Sequence, residues 1–370
     1  MRPAAHIIIA LVLVSIFTGC APTETGPTLE QKIGQMLMVG FRGTELDEKN
    51  PIVADIRERN IGGVILFDYD VPSSSPVRNI ESAEQVAALV QQLQAHASTP
   101  LLVGIDQEGG QVVRLKQKFG FPKTVSAQYL GELNNPDSTR YYAEQQTRIL
   151  SELGANVNFA PVVDLNTNPQ NPVIGQLERS FSADPATVVR HARIVVEEHI
   201  NSGVVPVLKH FPGHGSAWND SHKGIADVTG TWDPAELKPY NQLIATDSIP
   251  AVMTAHVFNA NLDSTYPATL SKPVLSGILR DSLQFDGLIF SDDMQMDAIR
   301  AEYGLETALK QGINAGIDLL VFANNSVFEP DIARRAVRLI TEMVENGEID
   351  SNQIERSYRR IMRYKQQLRQ

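Results

Sequence analysis

Residues 36–50 read MLMVGFRGTELDEKN, and this stretch decides between two folds. An apolar run ends in a glycine and a polar turn, as a buried strand does. A doubly wound sheet would be favoured by a glycine-rich phosphate turn at this point, and no GxGxxG follows. Further runs of the same kind recur: GVILF (63–67), LLVGID (101–106), NVNFAPVVD (156–164), VVPVLKHF (204–211), AVMTAHV (251–257), GLIFSD (287–292) and DLLVFAN (318–324). Their near-continuous apolar character fits strands buried on both faces of a parallel sheet. Helical periodicity fills 51–60, 82–97, 138–153, 185–202, 234–246, 273–284 and 304–316, most of these ending at a glycine or polar stop. Eight strands alternating with helices predict a single (β/α)8 TIM-type barrel over 29–370. The segment 329–368 is helical by period and is expected to pack outside the barrel.

The 370 residues are 42% hydrophobic and 20% charged, enough for a large core. A net charge of −11 argues against nucleic acid as a partner. No internal repeat, low-complexity tract or inter-domain linker interrupts the chain.

The first residues are read as a targeting segment. Arg2 is a lone positive charge, 7–17 (IIIALVLVSIF) is too short to span a bilayer as a helix, and Phe17-Thr18-Gly19-Cys20 resembles a bacterial lipobox. The expectation is a lipoprotein signal over 1–19, a lipidated Cys20 and a short tether over 20–28; the alternatives are a plain secretory signal or a buried strand. Cys20 is the sole cysteine, so no intramolecular disulfide can form. The implied location is the cell envelope: a membrane-anchored lipoprotein on the periplasmic side, or in the outer membrane of a Gram-negative host.

In a barrel the chemistry collects at the carboxyl ends of the strands. Those ends carry Asp106, Asp164, Lys209-His210, His256, Asp292-Asp293 and Asn324-Asn325. After Lys209 the chain continues KHFPGHGSAWNDSH (209–222), rich enough in histidine to raise a metal site. His210 and His214 have the spacing of a helical zinc pair, but Pro212 and Gly213 between them break a helix. A barrel metal centre of amidohydrolase type built on His210, His214, His222, His256 and Asp292 would usually begin with His-x-His on the first strand, and Met36–Arg42 has no histidine. The reading is a catalytic loop, with no metal and no cofactor.

KHFPGHG followed by Asp220-Ser221-His222 resembles the loop signature of the bacterial β-N-acetylglucosaminidases of glycoside hydrolase family 3. IGGVILF (61–67), VGIDQEGGQVVRL (103–115), NVNFAPVVDL (156–165), LERSFSADP (177–185) and FDGLIFSDDMQM (285–296) match in the same order, so the resemblance spans 29–325. It implies Asp292 as nucleophile, His222 as general acid/base, and Asp220 as the partner that orients His222. It also implies that Asp106, Arg114, Arg179, Lys209 and His210 hold the terminal sugar, with His214, Asp293 and Asp164 in support. Retaining glycosidases commonly pair a carboxylate nucleophile with a second proton-transferring group, and a histidine can fill that role. Gly213 and Gly215 permit backbone conformations closed to other residues, so the loop is expected to move over substrate. The implied activity is an exo-acting β-N-acetylhexosaminidase on muropeptide or chitin-derived oligosaccharides, in peptidoglycan recycling for example. An N-acetylglucosaminide phosphorylase and a non-catalytic sugar-binding lipoprotein remain as alternatives.

Overall fold

The computed structural model describes residues 26–246 and 248–367. The expected signal segment, Cys20 and most of the tether lie outside the described residues.

Eight parallel strands form the barrel: β1 (Leu37–Gly40), β2 (Gly63–Leu66), β3 (Leu102–Ile105), β4 (Val157–Asn158), β5 (Val205–Phe211), β6 (Ala251–Thr254), β7 (Leu288–Phe290) and β8 (Leu320–Phe322). Each pairs with the next through β7, and β1 pairs with β8. The closing seam between β7 and β8 is a single parallel bridge, Phe290 to Leu319, reinforced by the N–H of Ser291 donating to Leu319 O at 2.9 Å. Strand β4 is shorter than its apolar run. Past Asn158 the chain leaves the ladder and touches β5 again through the Val163 N–H and Lys209 O, 2.8 Å apart.

Helices follow each strand because the sequence supplies their start signals. Asn50, Ser82, Asn135 and Asp184 each cap a helix with a side-chain oxygen, and Pro51, Pro136 and Pro185 occupy the first helical position, where no N–H is needed. The resulting helices, Pro51–Arg59, Ala83–His96, Pro136–Leu153 and Pro185–Asn201, bury their apolar faces against the strands.

One expectation needs correcting. The tail 329–368 is two helices with different places in the fold. Ile332–Glu345 follows β8 and packs against Pro51–Arg59 and Gly304–Ala315, so it is the eighth helix of the barrel wall. Only Ser351–Gln367 is additional, lying against Leu29–Gln35 and Gly304–Ala315.

Candidate active site

The carboxyl ends of the strands open onto a cavity of about 540 Å³, within the range of small-molecule sites. Asp106, Arg114, Arg179, Lys209, His210, His222 and Asp292 all line it. Seven residues named from sequence therefore converge on one pocket from the loops of β3, β4, β5 and β7.

The closed end is a network of charges. Lys209, at the end of β5, is 2% exposed and reaches Asp106 Oδ1 at 2.9 Å and Glu108 Oε1 at 2.6 Å. Arg114 donates to Asp106 Oδ2 at 3.1 Å. Arg179 grips both oxygens of Glu108, at 2.7 and 2.8 Å, and donates to Val173 O. Burial pushes the Asp106 and Glu108 carboxyls up, but the cations win: Lys209 and Arg114 hold Asp106 well below the usual range, and Arg179 and Lys209 lower Glu108. Glu108 was not singled out from sequence, although it lies two residues past Asp106 in the same DQEGG turn.

The tautomer of His210 follows from its neighbours. Nδ1 is 2.7 Å from Asp164 Oδ2, and Nε2 faces the Arg179 guanidinium at 3.1 Å. Arg179 can only donate, so Nε2 accepts and the proton sits on Nδ1. Burial, with Arg179 and Lys209 close by, pushes the His210 pKa far down and keeps the ring neutral.

Two adjacent aspartates end β7, and the structure separates them. Asp293 Oδ1 is occupied by the backbone N–H groups of Ala323 (3.0 Å) and Gln295 (3.1 Å), and burial raises its pKa to about 6. Asp292 also feels burial, but the facing imidazoles, His256 foremost, and the Asp293 N–H that donates to its Oδ1 at 2.8 Å lower its pKa. Asp292 thus lines the cavity as an ionised carboxylate with fewer backbone donors than Asp293. His256 is committed elsewhere: its Nε2 donates to Asp293 O at 2.9 Å. Among the described residues, no group of three His, Cys, Asp or Glu side chains could hold a metal ion.

The loop after β5 differs from its sequence reading at the root. Gly213 has φ +124°, and a Cβ there would lie 2.6 Å from the Glu236 carboxylate. A Cβ on Gly215 would lie 1.7 Å from Leu165 O. These glycines are required by close packing. Asp164 accepts the His214 N–H at 2.8 Å, Glu236 accepts that of Gly215 at 3.1 Å, and Asn171 donates to His214 O at 2.7 Å. The root is clamped, while His222 at the far end is 58% exposed at the cavity mouth. Asp220 Oδ1 lies 2.8 Å from His222 Nδ1, so Nδ1–H points to the carboxylate and Nε2 is left for proton transfer.

A parallel barrel with an ionised carboxylate, a carboxylate-backed histidine and a charged pocket at its carboxyl end has the make-up of a glycoside hydrolase. Residues 28–364 match the glycosyl hydrolase family 3 N-terminal domain, and the chain belongs to that family. It is 35% identical over 295 residues to a β-hexosaminidase of Tolumonas auensis, covering 78% of this chain and 83% of that protein. It is 30% identical to β-hexosaminidase A of Pseudoalteromonas piscicida, covering 93% of this chain and 62% of that protein. A family 3 β-N-acetylglucosaminidase structure from Paenibacillus sp. superposes with a TM-score of 0.84 at 35% identity, covering 93% of this chain and 63% of that one. The chain thus spans under two thirds of two of these three relatives.

Proposed function

We propose that this protein is an exo-acting, retaining β-N-acetylhexosaminidase that releases terminal N-acetylglucosamine from muropeptide or chitin-derived oligosaccharides. The observation that carries the reading is that Asp292 and the Asp220-backed His222 line one cavity whose far end is closed by charge. The names of the relatives, β-hexosaminidase and β-N-acetylglucosaminidase, support the same substrate class.

In the first step an Asp292 oxygen bonds to the anomeric carbon while His222 Nε2–H protonates the departing glycosidic oxygen. In the second, His222 Nε2 takes a proton from water, whose oxygen displaces Asp292 from the anomeric carbon and returns the β-anomer. Asp106, Arg114, Arg179, Lys209 and His210 hold the ring by its hydroxyl and acetamido groups. Turnover of 4-nitrophenyl N-acetyl-β-glucosaminide tests the reading, run with and without phosphate. Release of free sugar at a phosphate-independent rate is expected. A sugar phosphate as main product would make the enzyme a phosphorylase, and no turnover would leave a sugar-binding protein.

Lipidation of Cys20 and residence at the cell envelope belong to the same proposal. Cys20→Ala is expected to move the protein out of the membrane fraction with its activity retained; an unchanged distribution would contradict the anchor.

A further inference from the structure

Exposure increases from the closed end of the cavity outwards. Lys209 is 2% exposed, Asp106 17% and Arg114 23% at the side chain, whereas His222 reaches 58% and Val71 54%. Val71 lies in the long turn after β2 and lines the same cavity, together with Asn325 and Ser326 after β8. A general acid must touch the leaving oxygen, so the leaving group of an exo-enzyme lies at the mouth beside His222. Val71 and Asn325 line the same cavity as His222, and Val71 shares its exposure at the mouth.

The Asn325 amide is oriented by two donors. The Val71 N–H reaches its Oδ1 at 3.1 Å and Arg78 Nη1 reaches the same atom at 3.0 Å. Both can only donate, which assigns Oδ1 as the acceptor and leaves Nδ2 as the amide's donor. Arg78 is buried, and its guanidinium also binds Phe41 O (3.0 Å), Asn324 O (2.9 Å) and the Asp70 carboxylate. Arg42 completes the support by donating to both oxygens of Asp70, at 2.9 and 3.1 Å. A buried cation thus ties the turn after β2 to the turn after β8 and presents one polar and one apolar group side by side. A sugar ring, with hydroxyls at its edge and C–H groups on its face, has the matching chemistry.

We propose that this mouth is the subsite for the second sugar ring, with Asn325 Nδ2 donating to one of its oxygens and Val71 packing against its apolar face. The inference rests on the reading that the terminal ring occupies the charged end of the cavity. Binding to the otherwise intact Asp292→Ala protein, followed by calorimetry, tests it without depending on turnover. The probes are N-acetylglucosamine and its β-1,4-linked disaccharide. The disaccharide is expected to bind more tightly than the monosaccharide, and adding Asn325→Ala should lower that affinity ratio about threefold to tenfold, the size of one lost hydrogen bond. Adding Val71→Ala, an exposed position with little bearing on folding, should lower the ratio by a smaller factor. An unchanged ratio in both variants, or equal losses for the two sugars, overturns the subsite. Absence of catalysis in the wild-type protein alongside an intact ratio effect would instead count against the proposed activity alone.

Discussion

Asp220 Oδ1 accepts two bonds from His222: one from the ring Nδ1–H at 2.8 Å and one from the backbone N–H at 2.9 Å. The carboxylate thus fixes both the turn and the imidazole, and those bonds lower its own pKa against the upward push of burial. Asp220→Ala removes the orientation while leaving the imidazole in place. Cleavage of a disaccharide is expected to slow by roughly tenfold to a hundredfold, below the loss expected for removing His222 itself. Equal losses in the two variants would show that Asp220 does more than orient the ring.

His222→Ala separates leaving groups. With a sugar leaving group, which needs a proton, the rate should fall roughly 10²–10⁴-fold. With a nitrophenolate, which departs unprotonated, formation of the glycosyl-enzyme should be far less impaired. A burst of phenol followed by slow hydrolysis is expected, and azide should restore turnover and yield a β-glycosyl azide. Stopped-flow kinetics on both substrates checks the pattern.

Glu236 sets a pH-dependent stability. It is 1% exposed, and burial outweighs the bonds from Ser216 and the Gly215 N–H and raises its pKa from 4.5 to about 7. Between those values the folded protein holds a proton that the unfolded chain has released, so stability falls as pH rises through the window. The difference of about 2.5 units corresponds to roughly 3 kcal/mol at most. Glu236→Gln should be close to wild type at pH 4.5 and more stable than wild type at pH 8, read from urea midpoints. A wild-type slope retained in the variant would place the titration elsewhere.

Glu108 and Asp106 divide the cations between them, and their loss should differ in kind. Glu108→Gln leaves Lys209 and Arg179 short of a buried counter-charge. A cost of roughly 3–5 kcal/mol is expected, seen as a lowered melting temperature. Asp106 is more exposed and borders the space for substrate, so Asp106→Ala should mainly lower kcat/KM, by about one to two orders of magnitude. Arg179→Ala should do both.

The strands were legible because each is a short apolar run closed by polar residues, and all eight lie within the runs read from sequence. Of the residues named from sequence, Asp106, Lys209, His210 and Asp292 sit where those runs stop, whereas Arg114, Arg179, Asp220 and His222 lie in loops and are named only through the family resemblance. The tail was harder. Ile332–Glu345 and Ser351–Gln367 share one helical period, and only packing against Pro51–Arg59 marks the first as part of the barrel wall. Glu108 was missed because its importance lies in partners 71 and 101 residues away, Arg179 and Lys209. The choice between Asp292 and Asp293 rested on the family resemblance alone, since the backbone donors that occupy Asp293 come from Gln295 and from Ala323 across the barrel seam.

The proposed mechanism turns on a covalent bond between Asp292 and the anomeric carbon. The most direct test is intact-mass and peptide analysis of the His222→Ala variant, quenched in acid after the burst with a dinitrophenyl N-acetyl-β-glucosaminide. One added N-acetylglucosaminyl residue is expected, mapped to the peptide containing Asp292 and missing from the His222→Ala, Asp292→Ala double variant. A burst with no adduct, or an adduct on another residue, would contradict it.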